Sequence, residues 1–111
     1  MYRSKGVWVC NQKEAVGYLA STSEIKASAL TSRWESPTFH EVGQLYGEAA
    51  RLWRETATAG VRRFVVYSYR TPIAWKNEGG EWIVPAEKYS VTTSRHQSVV
   101  RRAVQVAAEV A

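Results

Sequence analysis

The sequence predicts a single α+β domain over residues 1–111, with a small, mainly antiparallel sheet of three to four strands packed with two to three helices, the last an amphipathic helix at the C-terminus. Three observations predict this class. Two segments place apolar residues at helical spacing, and runs rich in β-branched and aromatic residues follow one another between those segments. A length of 111 residues, 45% hydrophobic and 23% charged, suits one domain with one core.

The N-terminal third begins with a strand and a helix. Residues 6–10 are apolar, β-branched and aromatic, which is typical of a short strand. Asn11 and Glu14 have the spacing of a capping box, so a short helix is predicted to follow through Leu19. Residues 25–34 alternate only weakly, and the pattern leaves a strand and irregular structure both open.

The middle of the chain carries its most regular helical pattern. A break at residues 36–38 precedes a helix predicted over residues 42–58, and Gly60 is the candidate C-cap residue. The residues predicted to face inward are Val42, Leu45, Tyr46, Ala49, Leu52 and Trp53. Those predicted to face outward are Gln44, Glu48, Arg51 and Glu55.

Strand patterns follow this helix. Residues 63–69 are partly apolar on both faces, which predicts a central strand. Pro72 is predicted to interrupt the pairing, because proline has no N–H to donate to a neighbouring strand. Residues 73–75 and 81–84 are predicted to form a hairpin around a turn at residues 77–80.

The C-terminal segment predicts an amphipathic helix. Thr92, Thr93 and Ser94 are helix-capping residue types that precede a run to the C-terminus. The apolar side chains predicted to share one face are Val99, Val100, Ala103, Val104, Val106, Ala107 and Val110. Because the arginines of this segment fall largely elsewhere, we expect the helix to pack its apolar face on the sheet.

Composition limits the classes of function. A net charge of +5 and a pI near 9.6 favour anionic partners, with a basic surface that only provides solubility as the open alternative. The single cysteine, Cys10, can form no disulfide within the chain. No apolar run reaches the roughly 18–20 residues that span a bilayer, and the N-terminal apolar run is too short for a signal peptide. These features predict a cytoplasmic protein with no membrane partner.

Motifs for catalysis or metal binding are incomplete. His40 and His96 lack the spacing of metal ligands, and no glycine-rich phosphate-binding pattern occurs, so neither a metal nor a cofactor is predicted. A nucleophile pair of Cys10 with a histidine stays open, although a lone cysteine in an apolar strand is typical of a core.

The densest polar segment is a candidate anion site at the start of the last helix. Its side chains with that potential are Lys88, Thr92, Thr93, Ser94, Arg95 and His96. The free N–H groups and the positive dipole end of a helix N-terminus favour an anion, and hydroxyl and guanidinium groups add directed hydrogen bonds. The alternative is that the hydroxyls only cap the helix.

A basic surface and two tryptophans are the other candidate contacts. The arginines that would contact phosphates are Arg62, Arg63, Arg70, Arg95, Arg101 and Arg102, and a charged solvent face is the alternative. Trp8 and Trp34 have no predicted place in the core, which makes them candidates for a protein interface.

Two strings also carry a family resemblance, VVYSYRTPIAW at residues 65–75 and KYSVTTSRHQ at residues 88–97, with KASAL at residues 26–30. They resemble motifs of a family of small uncharacterised proteins common in actinobacteriophages, including mycobacteriophages. The resemblance implies an accessory phage or prophage product in the bacterial cytoplasm, and it brings no activity or catalytic residue. It also implies that a set of polar residues clusters, as a hydrogen-bond knot or as a binding site: Ser68, Thr71, Ser90, Thr92, Thr93, Arg95 and His96.

Three functional hypotheses follow. The first is a non-enzymatic binding module for an anionic partner, with nucleic acid as the best candidate, through the arginines. The second is an inhibitor that binds a host protein through Trp8 and Trp34. The third is a small enzyme that uses His96 and the neighbouring hydroxyls. Homo-oligomerisation is compatible with each hypothesis.

Overall fold

The computed structural model describes residues 1–36 and 45–110. The strands in these ranges are β1 Tyr2–Ser4, β2 Val7–Val9, β3 Ile25–Ala27, β4 Leu30–Glu35, β5 Arg63–Ser68 and β6 Thr71–Asn77. The helices in the same ranges are α1 Gln12–Ala20, α2 Gly47–Ala57 and α3 Val91–Val110. The strands form one sheet in sequence order, antiparallel except for the β2–β3 pair.

The α+β class, the mainly antiparallel sheet and the C-terminal helix are confirmed, but the sheet has six strands rather than three to four. The additional strands include β1 and β3, each of three residues. Such short segments show too few residues to reveal a period of two. The parallel pair of β2 and β3 requires a crossover connection, which α1 provides.

The sheet separates two layers of helices. α1 and α3 pack against each other and on one face of the sheet, whereas Trp53 of α2 packs on the other. Along β5, Phe64 and Val66 join the core under α1 and α3, and Val65 and Tyr67 join the core under α2. Every residue of β5 is buried, so the predicted central strand is confirmed.

The start of α1 has the predicted capping box. The Asn11 side-chain oxygen accepts from the Glu14 N–H at 2.8 Å, and a Glu14 carboxylate oxygen accepts from the Asn11 N–H at 3.0 Å. Ala15 and Leu19 are the buried residues of the helix, which ends at Ala20. The predicted helix through Leu19 is confirmed.

The segment that the sequence left open, residues 25–34, is the β3–β4 hairpin with a turn at Ser28, whose φ is 57°. Its alternation is weak because a serine occupies an inward position. Buried Ser32 accepts from the Ile25 N–H at 3.0 Å and donates to the Ser23 carbonyl at 2.8 Å. These local hydrogen bonds allow a polar side chain to lie in the core.

The prediction that Pro72 interrupts the pairing is wrong. Pro72 lies inside β6 opposite Tyr67, next to a register shift, which is a place where a sheet tolerates proline. The tight turn therefore lies between Ser68 and Thr71. The predicted hairpin arm at residues 81–84 is reduced to one bridge, in which Trp75 and Ile83 exchange backbone hydrogen bonds of 3.0 and 2.7 Å.

α2 begins at Gly47, and the part of the prediction on residues 42–44 lies outside the described residues. Ala49 and Trp53 are buried as predicted, and Arg51 lies outside, paired with Glu48 and Glu55. The inward prediction for Tyr46 is wrong. Its ring is half exposed and packs edge-on against Tyr89, while its hydroxyl donates to the Lys88 carbonyl. Gly60 has a φ of 73° but follows the C-cap Thr58 by two residues.

α3 begins at Val91, one residue before the predicted caps, because the Ser90 hydroxyl accepts from the Thr93 N–H at 3.1 Å. Its buried residues are Thr93, His96, Gln97, Val100 and Ala103. Val110, predicted to face inward, is exposed. Three of the five buried side chains are polar and precede the apolar residues, and a hydrophobic pattern does not register them.

Candidate functional site

A pocket of about 590 Å³ lies between the β5–β6 turn and the N-terminus of α3. It is lined by Ser68, Tyr69, Arg70, Thr71, Ser90, Thr92 and Thr93. The structure thus brings the two sequence strings, which are about twenty residues apart, to one place. Of the residues expected to cluster, Arg95 does not line the pocket, and His96 lies beneath it against Ser68.

The floor of this pocket is a chain of hydroxyl groups that ends on an imidazole. The Ser90 hydroxyl donates to Thr93 Oγ1 at 3.1 Å, Thr93 Oγ1 lies 2.9 Å from Ser68 Oγ, and Ser68 Oγ lies 2.6 Å from His96 Nδ1. A hydroxyl has one hydrogen to donate. Since Thr93 accepts from Ser90, every hydroxyl hydrogen in the chain has an acceptor when Thr93 donates to Ser68 and Ser68 donates to His96. We infer that His96 is neutral with its hydrogen on Nε2.

Burial lowers the pKa of His96, which agrees with a neutral ring. Protonation would place a hydrogen on Nδ1 that Ser68 would have to accept, so one hydroxyl hydrogen of the Ser68–Thr93 pair would lose its acceptor. Ser68 and His96 are each 1% exposed, and Thr93 is buried as well. These side chains therefore join α3 to β5: His96 lies beneath the pocket and Thr93 lies in its floor, not on the exposed surface of the helix.

The turn above this chain has an unusual backbone. Tyr69 has a φ of 57°, a conformation that favours glycine, and its N–H donates to the Ala29 carbonyl at 2.8 Å. This hydrogen bond joins the β5–β6 turn to the β3–β4 turn. The two turns are neighbours because Leu30 of β4 pairs with Ser68 of β5. The Tyr69 side chain is exposed at the rim of the pocket.

Arg63, predicted to contact phosphates, is completely buried, so that prediction is wrong. Its guanidinium carbon lies 3.5 Å from the centre of the Trp53 ring, and Nη1 donates to the Trp53 carbonyl at 3.3 Å. The Glu35 carboxylate lies 3.9 Å from Arg63 Nε. Burial lowers the pKa of Arg63, and the charge of Glu35 opposes that change. The arginine therefore holds α2 on the sheet.

Sequence reasoning missed Glu35, a buried carboxylate that lies next to Arg63 and Tyr67. Glu35 accepts from the Tyr67 hydroxyl, which lies 3.0 and 2.8 Å from its two oxygens, and from Arg33 Nε at 3.0 Å. Burial raises the pKa of Tyr67, and the neighbouring Glu35 charge raises it further. The available signal was that Arg33 and Glu35 lie two residues apart and therefore on the same face of a strand. An ion pair exposed to solvent has the same spacing.

Three arginines of α3 lie on the surface as predicted. Arg95, Arg101 and Arg102 are exposed, and none of them forms an ion pair with a carboxylate of the described residues. The only hydrogen bond from these guanidinium groups within the described parts runs from Arg102 to Gln105 at 3.4 Å. By contrast, Arg33, Arg51 and Arg62 each pair with a glutamate.

The remaining predicted residues flank these arginines. Arg70 lines the pocket at the β5–β6 turn, and Lys88 is exposed shortly before α3. Thr92 lines the pocket and Ser94 is half-buried in the first turn of the helix. We call the exposed set the α3 basic face: Arg70, Lys88, Arg95, Arg101 and Arg102.

Trp8 and Trp34, which the sequence could not place, lie together at a second pocket of about 460 Å³. The Trp8 ring stacks on Tyr18 at 4.8 Å, and the Trp34 ring packs against Phe64 at 5.4 Å. Both tryptophans are half-buried. Their ring faces are therefore occupied within the chain, which does not match the free aromatic anchors expected of a protein interface.

No group of three or more potential metal-ligating side chains occurs in residues 1–36 and 45–110, and His40 with Glu41 lies outside these ranges. None of the helices described is long and apolar enough to cross a membrane.

The fold and the α3 basic face define a small basic α+β domain, in which a mainly antiparallel sheet lies between two helical layers. The chain belongs to the family of unknown function DUF8033, whose profile matches residues 1–104. Comparison with curated proteins and with solved structures found no match. The family match covers the described strands and helices except the last six residues of α3, and the function has to be argued from the site.

Proposed function

We propose that this protein is a non-enzymatic module that binds nucleic acid through the α3 basic face. The observation that supports this function is the difference between two groups of arginines. Arg33, Arg51, Arg62 and Arg63 each have a glutamate partner, whereas Arg95, Arg101 and Arg102 are exposed without a carboxylate partner in the described residues. Unpaired guanidinium groups on a rigid helix are suited to bidentate phosphate contacts.

The spacing on α3 supports contacts along a phosphate backbone. Arg95 and Arg102 are seven residues apart, so they lie on nearly the same side of the helix, about 10.5 Å apart along its axis. Arg101 lies about 100° around the helix from Arg102. Arg70 and Lys88 extend the positive charge to the N-terminal end of α3. Phosphate contacts of this kind supply affinity without reading the base sequence.

The test is the dependence of binding on salt. The logarithm of the binding constant for duplex DNA falls with the logarithm of salt concentration by about 0.9 for each phosphate contact. Replacing Arg95, Arg101 and Arg102 by alanine should therefore reduce the slope by up to about 2.7. Fluorescence anisotropy with a labelled duplex at several salt concentrations measures this slope.

The matched control is Arg51→Ala, which removes an exposed arginine that is paired with Glu48 and Glu55. It should leave the slope unchanged. An equal slope in the triple variant and the wild type would refute the proposal, and so would the absence of salt-dependent binding in the wild type.

The proposal also includes the biological setting in which the protein acts. We propose an accessory role in a phage or prophage, in the cytoplasm of the bacterial host, as the sequence resemblance implies. Binding to a host protein stays an alternative, which predicts salt-tolerant binding. The burial of Ser68 and His96 favours a structural role for that pair and weighs against the enzyme hypothesis.

A further inference from the structure

We propose that the pocket at Trp8 and Trp34 binds a nucleoside monophosphate group, either free or at the 5′ end of a strand. The pocket is walled by these tryptophans, by Arg3 and Arg62, and by the loop at residues 22–24. It shares no lining residue with the α3 basic face. Its volume of about 460 Å³ lies in the range of small-molecule sites. This site does not rest on the proposed function of α3.

Two arginines are held in position to bind the phosphate. The Arg3 guanidinium carbon lies 5.5 Å from the centre of the Trp8 ring, and that of Arg62 lies 4.8 Å from the centre of the Trp34 ring. A guanidinium group stacked on an aromatic ring keeps its N–H edge available, and that edge binds phosphate in a bidentate manner. Stacking also restricts the side chain before the ligand arrives, which reduces the entropy lost on binding.

The rings under these arginines are themselves fixed. Trp8 stacks on Tyr18 of α1 with an interplanar angle of 18°. Trp34 packs against Phe64 of β5, and its indole Nε1 donates to the Thr22 carbonyl at 3.2 Å. Each guanidinium group therefore packs on a tryptophan ring that is itself held by a second aromatic ring. Such a wall is preformed and does not depend on ligand-induced rearrangement.

Arg62 retains binding capacity although it also forms an ion pair. Its Nη2 donates to Glu78 at 2.6 Å, and both side chains of this pair are more than half exposed. An exposed ion pair contributes little to stability, and the guanidinium group has further N–H donors. A phosphate can therefore bind Arg62 without a large loss from the Glu78 contact.

Glu24 determines which anions suit the pocket. One of its carboxylate oxygens accepts from the Trp34 N–H at 2.9 Å, and the other has no hydrogen bond to the described residues. The carboxylate repels a bare anion and accepts hydrogen bonds from an amino group. A ligand that carries both a phosphate and an amino-bearing base matches the two arginines and Glu24 together. Inorganic phosphate satisfies only half of this arrangement.

The experiment is a titration of ¹⁵N-labelled protein followed by the indole N–H signals. Adenosine monophosphate should shift the signals of Trp8 and Trp34 and leave those of the buried Trp53 and Trp75 in place. Adenosine and inorganic phosphate should each bind at least about tenfold more weakly, since each loses contacts to one half of the site. No shift at Trp8 and Trp34 with millimolar adenosine monophosphate would overturn the proposal.

Variants identify the groups responsible. Arg3→Ala should weaken adenosine monophosphate binding about tenfold or more, and Arg3→Lys should restore little of it, because lysine lacks the planar fork. Glu24→Gln keeps an oxygen for the Trp34 N–H and should reduce the preference for the nucleotide over phosphate. Arg54→Ala, at an exposed site on α2, is the control and should have no effect. Unchanged binding in Arg3→Ala would refute the site.

Two further comparisons separate the possible sources of the ligand and the two proposals. A single strand with a 5′-phosphate that shifts the same indole signals, while the strand without it does not, assigns the site to strand ends. Shifts with adenosine monophosphate alone assign the site to free nucleotides. The variant that lacks Arg95, Arg101 and Arg102 should bind adenosine monophosphate normally, so failure of the α3 proposal is distinct from failure of this one.

Discussion

Removal of the Ser68 hydroxyl should destabilise the fold without touching the surface. In Ser68→Ala, His96 Nδ1 loses its donor and the Thr93 hydroxyl loses its acceptor, because Ser68 bonds both at 2.6 and 2.9 Å. A buried polar group left unpaired costs about 1–3 kcal/mol. Thr93 keeps its contact with Ser90, so we expect a total loss of about 2–4 kcal/mol in the free energy of unfolding.

This loss is measured by urea denaturation followed by circular dichroism. Thermal unfolding followed by the same signal is a second measurement. For a chain of this length, a loss of about 1 kcal/mol corresponds to roughly 4 °C, so the melting temperature should fall by about 8–16 °C. The matched control is Ser98→Ala on the exposed side of α3, which should change the stability by less than about 0.5 kcal/mol.

Two results would refute this reasoning. If Ser68→Ala lost less than about 1 kcal/mol, the hydroxyl chain would not be the connection between α3 and β5 that the geometry indicates. If the folded variant lost nucleic-acid binding at a temperature well below its transition, Ser68 would act in the site rather than under it. Salt titrations at that temperature separate the two roles.

Two further predictions concern other buried polar groups. Burial lowers the pKa of His96, so the unfolded chain binds more protons than the folded chain. The free energy of unfolding should therefore decline as the pH falls from about 6.5 through the lowered folded-state pKa. His96→Asn should reduce this decline, as measured by urea denaturation at several pH values. Glu35→Ala leaves Arg63 buried without its carboxylate and should cost about 3–5 kcal/mol, whereas Glu55→Ala on the surface should cost less than about 1 kcal/mol in the same assay. A loss for Glu35→Ala no larger than that for Glu55→Ala would contradict a buried charge cluster.

The sequence resemblance implied that polar residues of two distant strings lie together, and the structure places most of them at one pocket. Two strings of polar residues do meet at the N-terminus of α3, around Ser68 and Thr93. The same strings supply both the buried hydroxyl chain and the rim of the pocket. Only the tertiary structure determines which of their side chains are buried and which line the rim. Arg63 is the clearest case, because it is buried at the start of β5 whereas the neighbouring Arg62 is exposed.

The sequence by itself determined the elements that depend on near neighbours. The capping box of α1, the outward ion pairs of α2 and the central position of β5 all follow from residues a few positions apart. Spacing along a helix or strand dictates these contacts whatever the rest of the chain does. The same holds for the helical character of the C-terminus.

Only the tertiary structure decided which polar side chains are buried and which aromatics meet. Arg63 can be buried because Glu35 comes from β4 and Trp53 from α2. Trp8 and Trp34 share one pocket because β2 and β4 both flank β3. The physical reason is that burial of a charge or a hydroxyl depends on partners from distant segments. Those partners are brought together by the sheet order, which no local pattern encodes.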